Sequence, residues 1–434
     1  MSRTSPHVIS RRMAFAGVAA SAGVGLVSKV ASAQLPPRTA NDSTGPIFDR
    51  RGPDAELYGA KEGYPVPSGL AGRLMGNPWP PKYRVGAFSH LDEIYPTRKI
   101  GRAAVPWVFK RAAADIRYRF RGNQYALADY LARNPVTGLL IAKDDRILFE
   151  RYQYDRTDRD RLVSQSMVKS ITGVLIGLAI GEGAIHSVDD TAETYVPGFR
   201  GSEYGRTPIR DLLHMSSGVD FGEDRDGGRD LNRLWQDLVA GRGGKGTVAS
   251  IVQFNQRTAP PGTRFAYASI EPDVLGMVLH QAIGKSAAEY LQEKIWKPIG
   301  AEADATWLLD AQGYELAHFG FSAVLRDYAR LARLLAHDGA WDGRQILPAQ
   351  WMIDATTVRA SDGYLAPGKA TADFGYGYLV WLPPGSRRQF AFFGDFGHRI
   401  CIDPASKLVM VQTALDSKSG EIFALWAALV AQLG

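Results

Sequence analysis

Ser166-Met167-Val168-Lys169 is the only point in the 434-residue chain where a serine is followed three residues later by a lysine. A serine hydroxyl is a weak nucleophile at neutral pH and needs a base beside it. An amine one helical turn away can serve as that base if it is kept partly neutral. The residues from Ser170 to Ile180 are almost all apolar or small, which predicts a helix buried on every side. Burial disfavours an ammonium ion and so lowers a lysine pKa. Ordinary composition yields roughly one such spacing by chance in a chain of this length, so the pair gains weight only from what accompanies it.

Other patterns that could carry chemistry lack their partners. Gly241 to Thr247 has phosphate-loop composition, but Lys245 precedes a glycine instead of Ser or Thr and no apolar strand leads into it, so a flexible loop is expected. Asp373-Phe374-Gly375 and Asp395-Phe396-Gly397 spell a kinase tripeptide without a glycine-rich loop or a His-Arg-Asp element. No Gly-x-Ser-x-Gly elbow occurs, which argues against an α/β-hydrolase. The eight histidines are scattered without a metal-ligand spacing, and Cys401 is the sole cysteine, placed in an alternating run that reads as a strand. No metal and no cofactor are expected.

The elements that must position the pair begin after an apparent leader. Ser10-Arg11-Arg12-Met13-Ala14-Phe15 opens an uncharged stretch to Ser28, and Ala31-Ser32-Ala33 forms a small-x-small cleavage signature. Residues 1–33 therefore read as a cleaved export signal of twin-arginine type, with the phenylalanine one position later than usual, and predict a periplasmic or secreted protein. The stretch is shorter than the roughly 20 apolar residues a spanning helix needs, so no stable membrane insertion is expected after cleavage. Removing Arg3, Arg11, Arg12 and Lys29 lowers the net charge from +6 to +2, which leaves no electrostatic case for nucleic acid.

Residues 34–120 are rich in Pro, Gly and Arg and read as an irregular N-terminal arm. A short helix from Tyr125 to Arg133 precedes a strand hairpin, Gly138 to Ala142 and Arg146 to Arg151, and then the serine helix. Helical patterns follow at Thr207 to His214, Leu231 to Ala240, Val248 to Phe254, Pro272 to Ile283, Ala287 to Ile295 and Ala323 to His337. Strands return at Gln389 to Phe393, His398 to Asp403 and Leu408 to Leu415, before a last helix. Strands at both ends predict a sheet domain, 121–190 with 320–434, interrupted by a helical domain, 191–319, with a cleft between them.

The chain resembles the serine hydrolases typified by class C β-lactamases and their penicillin-binding relatives. Ser166-Met167-Val168-Lys169 matches their first motif, and Tyr267-Ala268-Ser269 sits where they carry Tyr-x-Asn. Asp211-Leu212-Leu213-His214-Met215-Ser216-Ser217-Gly218 and Gly375-Tyr376-Gly377-Tyr378 also resemble phrases of that family. The resemblance covers roughly residues 120–434. It implies an α/β (α+β) fold, an antiparallel sheet flanked by helices with an all-helical insertion. It also implies that Ser166 attacks a carbonyl, that Lys169 takes or relays the proton, and that Tyr267 shares it with the leaving group. The backbone N–H of Ser166 and one near Gly394 would hold the oxyanion. Around His214 the resemblance implies a structural phrase. His398, after the Gly394 turn, either contacts substrate or flanks an edge.

Two departures narrow the substrate. Where the β-lactamases and cell-wall peptidases carry Lys-Thr-Gly or His-x-Gly, this chain has Phe392-Phe393-Gly394, without a cation, and Ser269 replaces the asparagine that holds a substrate amide. Both favour the branch similar to 6-aminohexanoate-dimer hydrolases and esterases, which the arm around Val85 to Leu91 also resembles. Hydrolysis of a small-molecule ester or linear amide through an acyl-enzyme is expected, with Ser269, Gly394 and His398 as substrate-binding candidates. A D,D-peptidase or β-lactamase is the alternative, with Arg399 or His398 supplying the missing anion-binding group, and a binding or sensor module without turnover is a third. Oligomeric state is not legible in the sequence.

Overall fold

A strand covered on both faces reads as a continuous apolar run, and the centre of this fold is built from such runs. A computed structural model describes residues 45–59, 80–223, 228–241, 244–417 and 420–434. Its main elements are β1 (Val136–Lys143), β2 (Arg146–Tyr152), α1 (Met167–Gly181), α2 (Ile270–Ile283), α3 (Leu325–Ala336), β3 (Phe390–Gly394), β4 (His398–Asp403), β5 (Leu408–Ala414) and α4 (Glu421–Leu433). The expected export signal, residues 1–33, lies outside the described residues, as do parts of the expected arm and of the loop around Gly241.

The large sheet runs in the order β2-β1-β5-β4-β3, followed by Trp381–Leu382 and Gly375–Tyr376. These neighbours are all antiparallel, whereas Ile47–Phe48 and Lys110–Arg111 add to β2 in parallel. The β1–β5 pair joins the two ends of the folded region, with Leu140 opposite Val411 and Ile141 opposite Met410. Helix α3 packs on β1, β4 and β5, helix α1 on β3 and β4, and helix α4 on β5. This is the mixed architecture the motifs imply, with an antiparallel centre and flanking helices.

Most expected elements appear with boundaries shifted by a few residues, and three differences have physical causes. Tyr125 belongs to a strand, Asn123–Ala126, paired with Arg117–Phe120, and the helix begins only at Leu127, where Asp129 accepts a hydrogen bond from the Ala126 N–H at 2.8 Å. A second sheet orders Thr97–Ile100, Ala305–Leu308, Phe321–Ala323 and Leu162–Val163, strands of two to four residues that are too short to show a period. In the expected irregular arm, Arg84–Ser89 is a helix buried at every residue, and Arg84 donates to Leu415 O at 2.7 Å. The Ala287 helix passes at Gln292–Trp296 into a π-helical turn.

Between α1 and Ala305–Leu308 the described chain is helical, and α2 lies against α1. Helix α1 is buried from Met167 to Ala179. Its neighbours approach closely because two positions lack side chains: a Cβ on Gly177 would lie 2.1 Å from Trp351 Nε1, and one on Gly173 would lie 3.1 Å from Tyr378 O. Alanine favours a helix over glycine by up to about 1 kcal/mol, but overpacking a filled interior costs roughly 1–3 kcal/mol. Gly177→Ala therefore lowers the stability measured by urea unfolding, and Trp351→Phe in the same chain recovers part of the loss.

Candidate active site

The strand Leu162–Val163 delivers the chain to Ser166. Tyr328 donates to Leu162 O at 2.8 Å, and the Ser164 N–H donates to Phe321 O at 2.7 Å. Gln165 then takes a φ of 49°, an uncommon conformation for a residue with a side chain, and turns the chain into α1 with Ser166 as its N-cap. The end of β3 abuts this turn. A Cβ on Gly394 would meet Ser164 O at 2.7 Å and Gln165 Cβ at 2.8 Å, so the strand comes this close only because residue 394 is glycine.

Lys169 is 2% exposed, and its Nζ lies 2.8 Å from Ser166 Oγ. Burial holds its pKa below the ordinary lysine value, against the opposing pull of the Glu223, Asp395 and Asp273 charges. The amine also donates to His318 O at 3.2 Å. That carbonyl is set by its own residue's ring, whose Nδ1 is 2.7 Å from Asp273 Oδ2, while the Ala317 N–H donates to Asp273 Oδ1 at 3.0 Å. Tyr267 also lies against this amine, its ring centroid 5.0 Å from Nζ. Tyr267 stacks on Trp381 at 5.8 Å and meets Tyr376 edge-on at 6.4 Å, and aromatic neighbours of this kind fix a ring's plane. The fold thus gathers Ser166, Lys169 and Tyr267 from two distant stretches of sequence.

The remaining candidates are placed differently. Ser269 is 2% exposed and faces a carboxylate: its hydroxyl donates to Glu223 Oε1 at 2.7 Å and its N–H to Glu223 Oε2 at 2.5 Å. Ser269 is thus engaged by Glu223, a residue of an uninformative loop that sequence reasoning missed. His398 is 1% exposed, with Nδ1 2.8 Å from Asp395 O and its ring 5.9 Å from Phe88. Burial pushes its pKa down to about 3, which makes it a packed, neutral ring, and it is not among the residues lining the cavity described below. His214 is also buried, packs at 4.8 Å on Tyr378, and has its pKa pushed down to about 3 by burial. The phrase around it is structural. Met215 O accepts the Ala266 N–H at 2.8 Å, just before Tyr267, and the Ser217 hydroxyl donates to Glu271 at 2.6 Å.

Ser166, Tyr267, Glu223 and Gly394 open on a cavity of about 1270 Å³. It extends along the β3 and β4 face, past Trp381 and Phe393, to Phe423 and Trp426 of α4 and to Arg399. Its walls are mostly apolar, as ligand-binding clefts commonly are. Among the described residues no group of three or more His, Cys, Asp or Glu is placed to hold a metal ion, and no helix is long and apolar enough to cross a membrane.

A family model for beta-lactamases matches residues 126–434. The 6-aminohexanoate-dimer hydrolase of Paenarthrobacter ureafaciens is 26% identical over 338 residues, which cover 75% of this chain and 84% of that protein. A solved structure from Bacillus anthracis, provisionally assigned as a 6-aminohexanoate-dimer hydrolase, superposes with a TM-score of 0.72 at 25% identity, covering 81% of this chain and 93% of its own. A family VIII carboxylesterase shares the fold, with a TM-score of 0.55 at 16% identity over 70% of this chain and 94% of its own.

The Glu223 carboxylate holds two donors of Ser269, two residues from Tyr267. Bonds to a charged acceptor contribute roughly 1.5–3 kcal/mol. Glu223→Ala is expected to lower the thermal midpoint by an equivalent amount, and Glu223→Gln, which keeps one acceptor, to lower it less.

Proposed function

The chain belongs to the beta-lactamase family, and on that premise we propose that this serine hydrolase cleaves an ester or a linear amide through an acyl-enzyme on Ser166. The observation that carries the reading is the 2.8 Å approach of a buried amine, Lys169 Nζ, to Ser166 Oγ. An amine kept partly neutral by burial can take the hydroxyl proton as the oxygen attacks. Tyr267, whose ring lies 5.0 Å from the amine, passes that proton to the leaving group, and the tetrahedral oxyanion is held by the Ser166 N–H and by backbone near Gly394. The position of Ser166 at the N-terminus of α1 adds the favourable end of the helix dipole. Water entering from the cavity then releases the acyl group.

The substrate side of the reading rests on the walls. Beside Gly394, β3 presents Phe393 to the cavity, and Phe392 stands where the peptidase and β-lactamase motifs carry Lys or His. Ser269, in the asparagine position, is engaged by Glu223. An open, apolar groove fits a linear acyl chain better than a bicyclic β-lactam. The 6-aminohexanoate-dimer hydrolase of Paenarthrobacter ureafaciens, by its name, acts on such a linear amide, and we carry that class over to this chain as ester or linear amide. We also place the mature protein outside the cytoplasm, a reading supported by the composition of residues 1–33 alone.

Turnover of short-chain p-nitrophenyl esters and a linear aminohexanoate dimer by the purified protein tests this. Ser166→Ala reduces kcat by about three orders of magnitude or more, and Lys169→Ala by roughly 10²–10⁴, without loss of the folded state by circular dichroism. Hydrolysis of nitrocefin at a comparable rate would move the chain to the β-lactamase branch. Absence of turnover together with failure of a fluorophosphonate to label Ser166 would sink the assignment.

A pH profile adds an independent check. Lys169 must be unprotonated to accept the proton, and its pKa is lowered, so kcat/KM rises with pH along an acid limb that lies below the ordinary lysine range. An acid limb centred at or above the ordinary lysine pKa would exclude Lys169 as the base.

A further inference from the structure

We propose that Glu223 is the base that activates the water of the deacylation step. The inference rests on the Ser166 reading and deepens it: acylation has Lys169 and Tyr267 to carry its proton, whereas the water that must follow has no acceptor assigned. That water arrives from the cavity, and Lys169 is not among the residues that line it. The amine is 2% exposed and bonded to Ser166 Oγ and to the His318 carbonyl. A base for the water therefore has to stand in the wall of the cavity itself.

Among the described residues, Glu223, Asp373, Asp395, Tyr267 and Cys401 bring titratable side chains to that wall. Burial pushes the Cys401 thiol up to about 12, and near neutral pH a phenol is ordinarily a donor while a carboxylate is an ionised acceptor. Of the carboxylates, Glu223 and Asp395 act through space on the Lys169 amine, Glu223 the more strongly, and Asp373 is not among those that do. That amine is 2.8 Å from Ser166 Oγ, so Glu223 stands near the reacting bond. Asp395 is exposed, and among the described residues no hydrogen bond holds its carboxylate. Glu223 is half-buried and held at both oxygens, Oε1 by the Ser269 hydroxyl at 2.7 Å and Oε2 by the Ser269 N–H at 2.5 Å. Ser269 takes two of the roughly four acceptor positions of a carboxylate, which fixes its plane. The serine at the asparagine position of Tyr-x-Asn thus gives up an amide and seats an anion beside the nucleophile.

In this step the water oxygen bonds to the acyl carbon as its proton passes to the Glu223 carboxylate. Collapse of the tetrahedral state breaks the bond from that carbon to Ser166 Oγ and releases the acid. Oγ takes up the proton that Glu223 had accepted, carried through cavity water, so serine and carboxylate are both restored. Glu223→Gln removes the charge and keeps the size of the side chain. With the p-nitrophenyl ester that the protein turns over fastest, its kcat falls by about 10² or more and KM falls with it, so that kcat/KM, which reports the steps up to acylation, stays within about threefold. Acylation is spared because loss of the Glu223 charge lowers the Lys169 pKa further. A stoichiometric burst of nitrophenol appears, mass spectrometry of the quenched variant finds the acyl group on Ser166, and hydroxylamine, a nucleophile that needs no base, restores turnover.

Glu223→Asp, which draws the carboxylate back by a methylene and keeps its charge, shows the same pattern in smaller degree and stands in if the glutamine variant does not fold. A fall in kcat/KM that matches kcat, with no acyl-enzyme in the Glu223 variants, overturns the proposal and leaves Glu223 as an anchor for Ser269. Accumulation in Asp395→Asn but not in Glu223→Gln overturns it in favour of Asp395. A wild-type protein that itself stalls as the acyl-enzyme has no such base, which overturns it as well. The two readings fail separately: a wild-type protein that a fluorophosphonate does not label at Ser166 removes both, whereas labelling at Ser166 without accumulation in the Glu223 variants removes the deacylation base alone.

Discussion

A lysine amine kept in an apolar interior, 2.8 Å from a serine oxygen, is the constraint around which this structure is arranged. Keeping an amine there requires that water be excluded from one whole helix, which is why α1 is buried from Met167 to Ala179 and not amphipathic. It also requires that the neighbours of α1 come very near, which Gly173 and Gly177 permit on one side and Gly394 permits at the turn before Ser166. The amine then needs a fixed acceptor besides the serine. The His318 carbonyl supplies it, held in turn by the Asp273–His318 pair.

Electrostatic control of the site is distributed and comes largely from groups outside the recognised motifs. Glu223, Asp395 and Asp273 all favour the charged form of Lys169 while burial opposes them, so the proton affinity of the amine reflects a balance between desolvation and three carboxylates. Glu223 has a second task in holding the Ser269 backbone and hydroxyl. Two of the buried histidines, His214 and His398, are kept neutral by the same desolvation that tunes the lysine, and they serve as packing rings.

What was legible in the sequence follows the range of each signal. The hairpin β1–β2, helix α1 and the last three strands carry long apolar runs or strong alternation, and all appear close to where those patterns place them. The four-stranded second sheet does not show, because each strand is four residues or fewer and its pairing is purely tertiary. Tyr125 fits a helical pattern by composition but is taken into a strand by Tyr118, which lies opposite it. Within the site, Ser166, Lys169 and Tyr267 could be read from their spacing and family resemblance. Glu223, Asp273 and His318 could not, since their spacing carries no pattern and only the fold brings them near the amine. Ser269 and His398 were legible as neighbours of the site but not as residues turned towards Glu223 and Phe88.

The pairing of β1 with β5 has a consequence for how the molecule comes into being. Residues 136–143 find their partner only at residues 408–414, so the sheet on which the serine helix packs cannot close until nearly the whole described chain has been synthesised. Contacts of such large sequence separation carry a high loop-closure cost and fold slowly. Until β5 arrives, the apolar edge of β1 is unpaired, and the nascent chain must be protected from association during that wait. A break in translation shortly before β5 would leave Ser166 and Lys169 in place in the sequence without the sheet that holds them together.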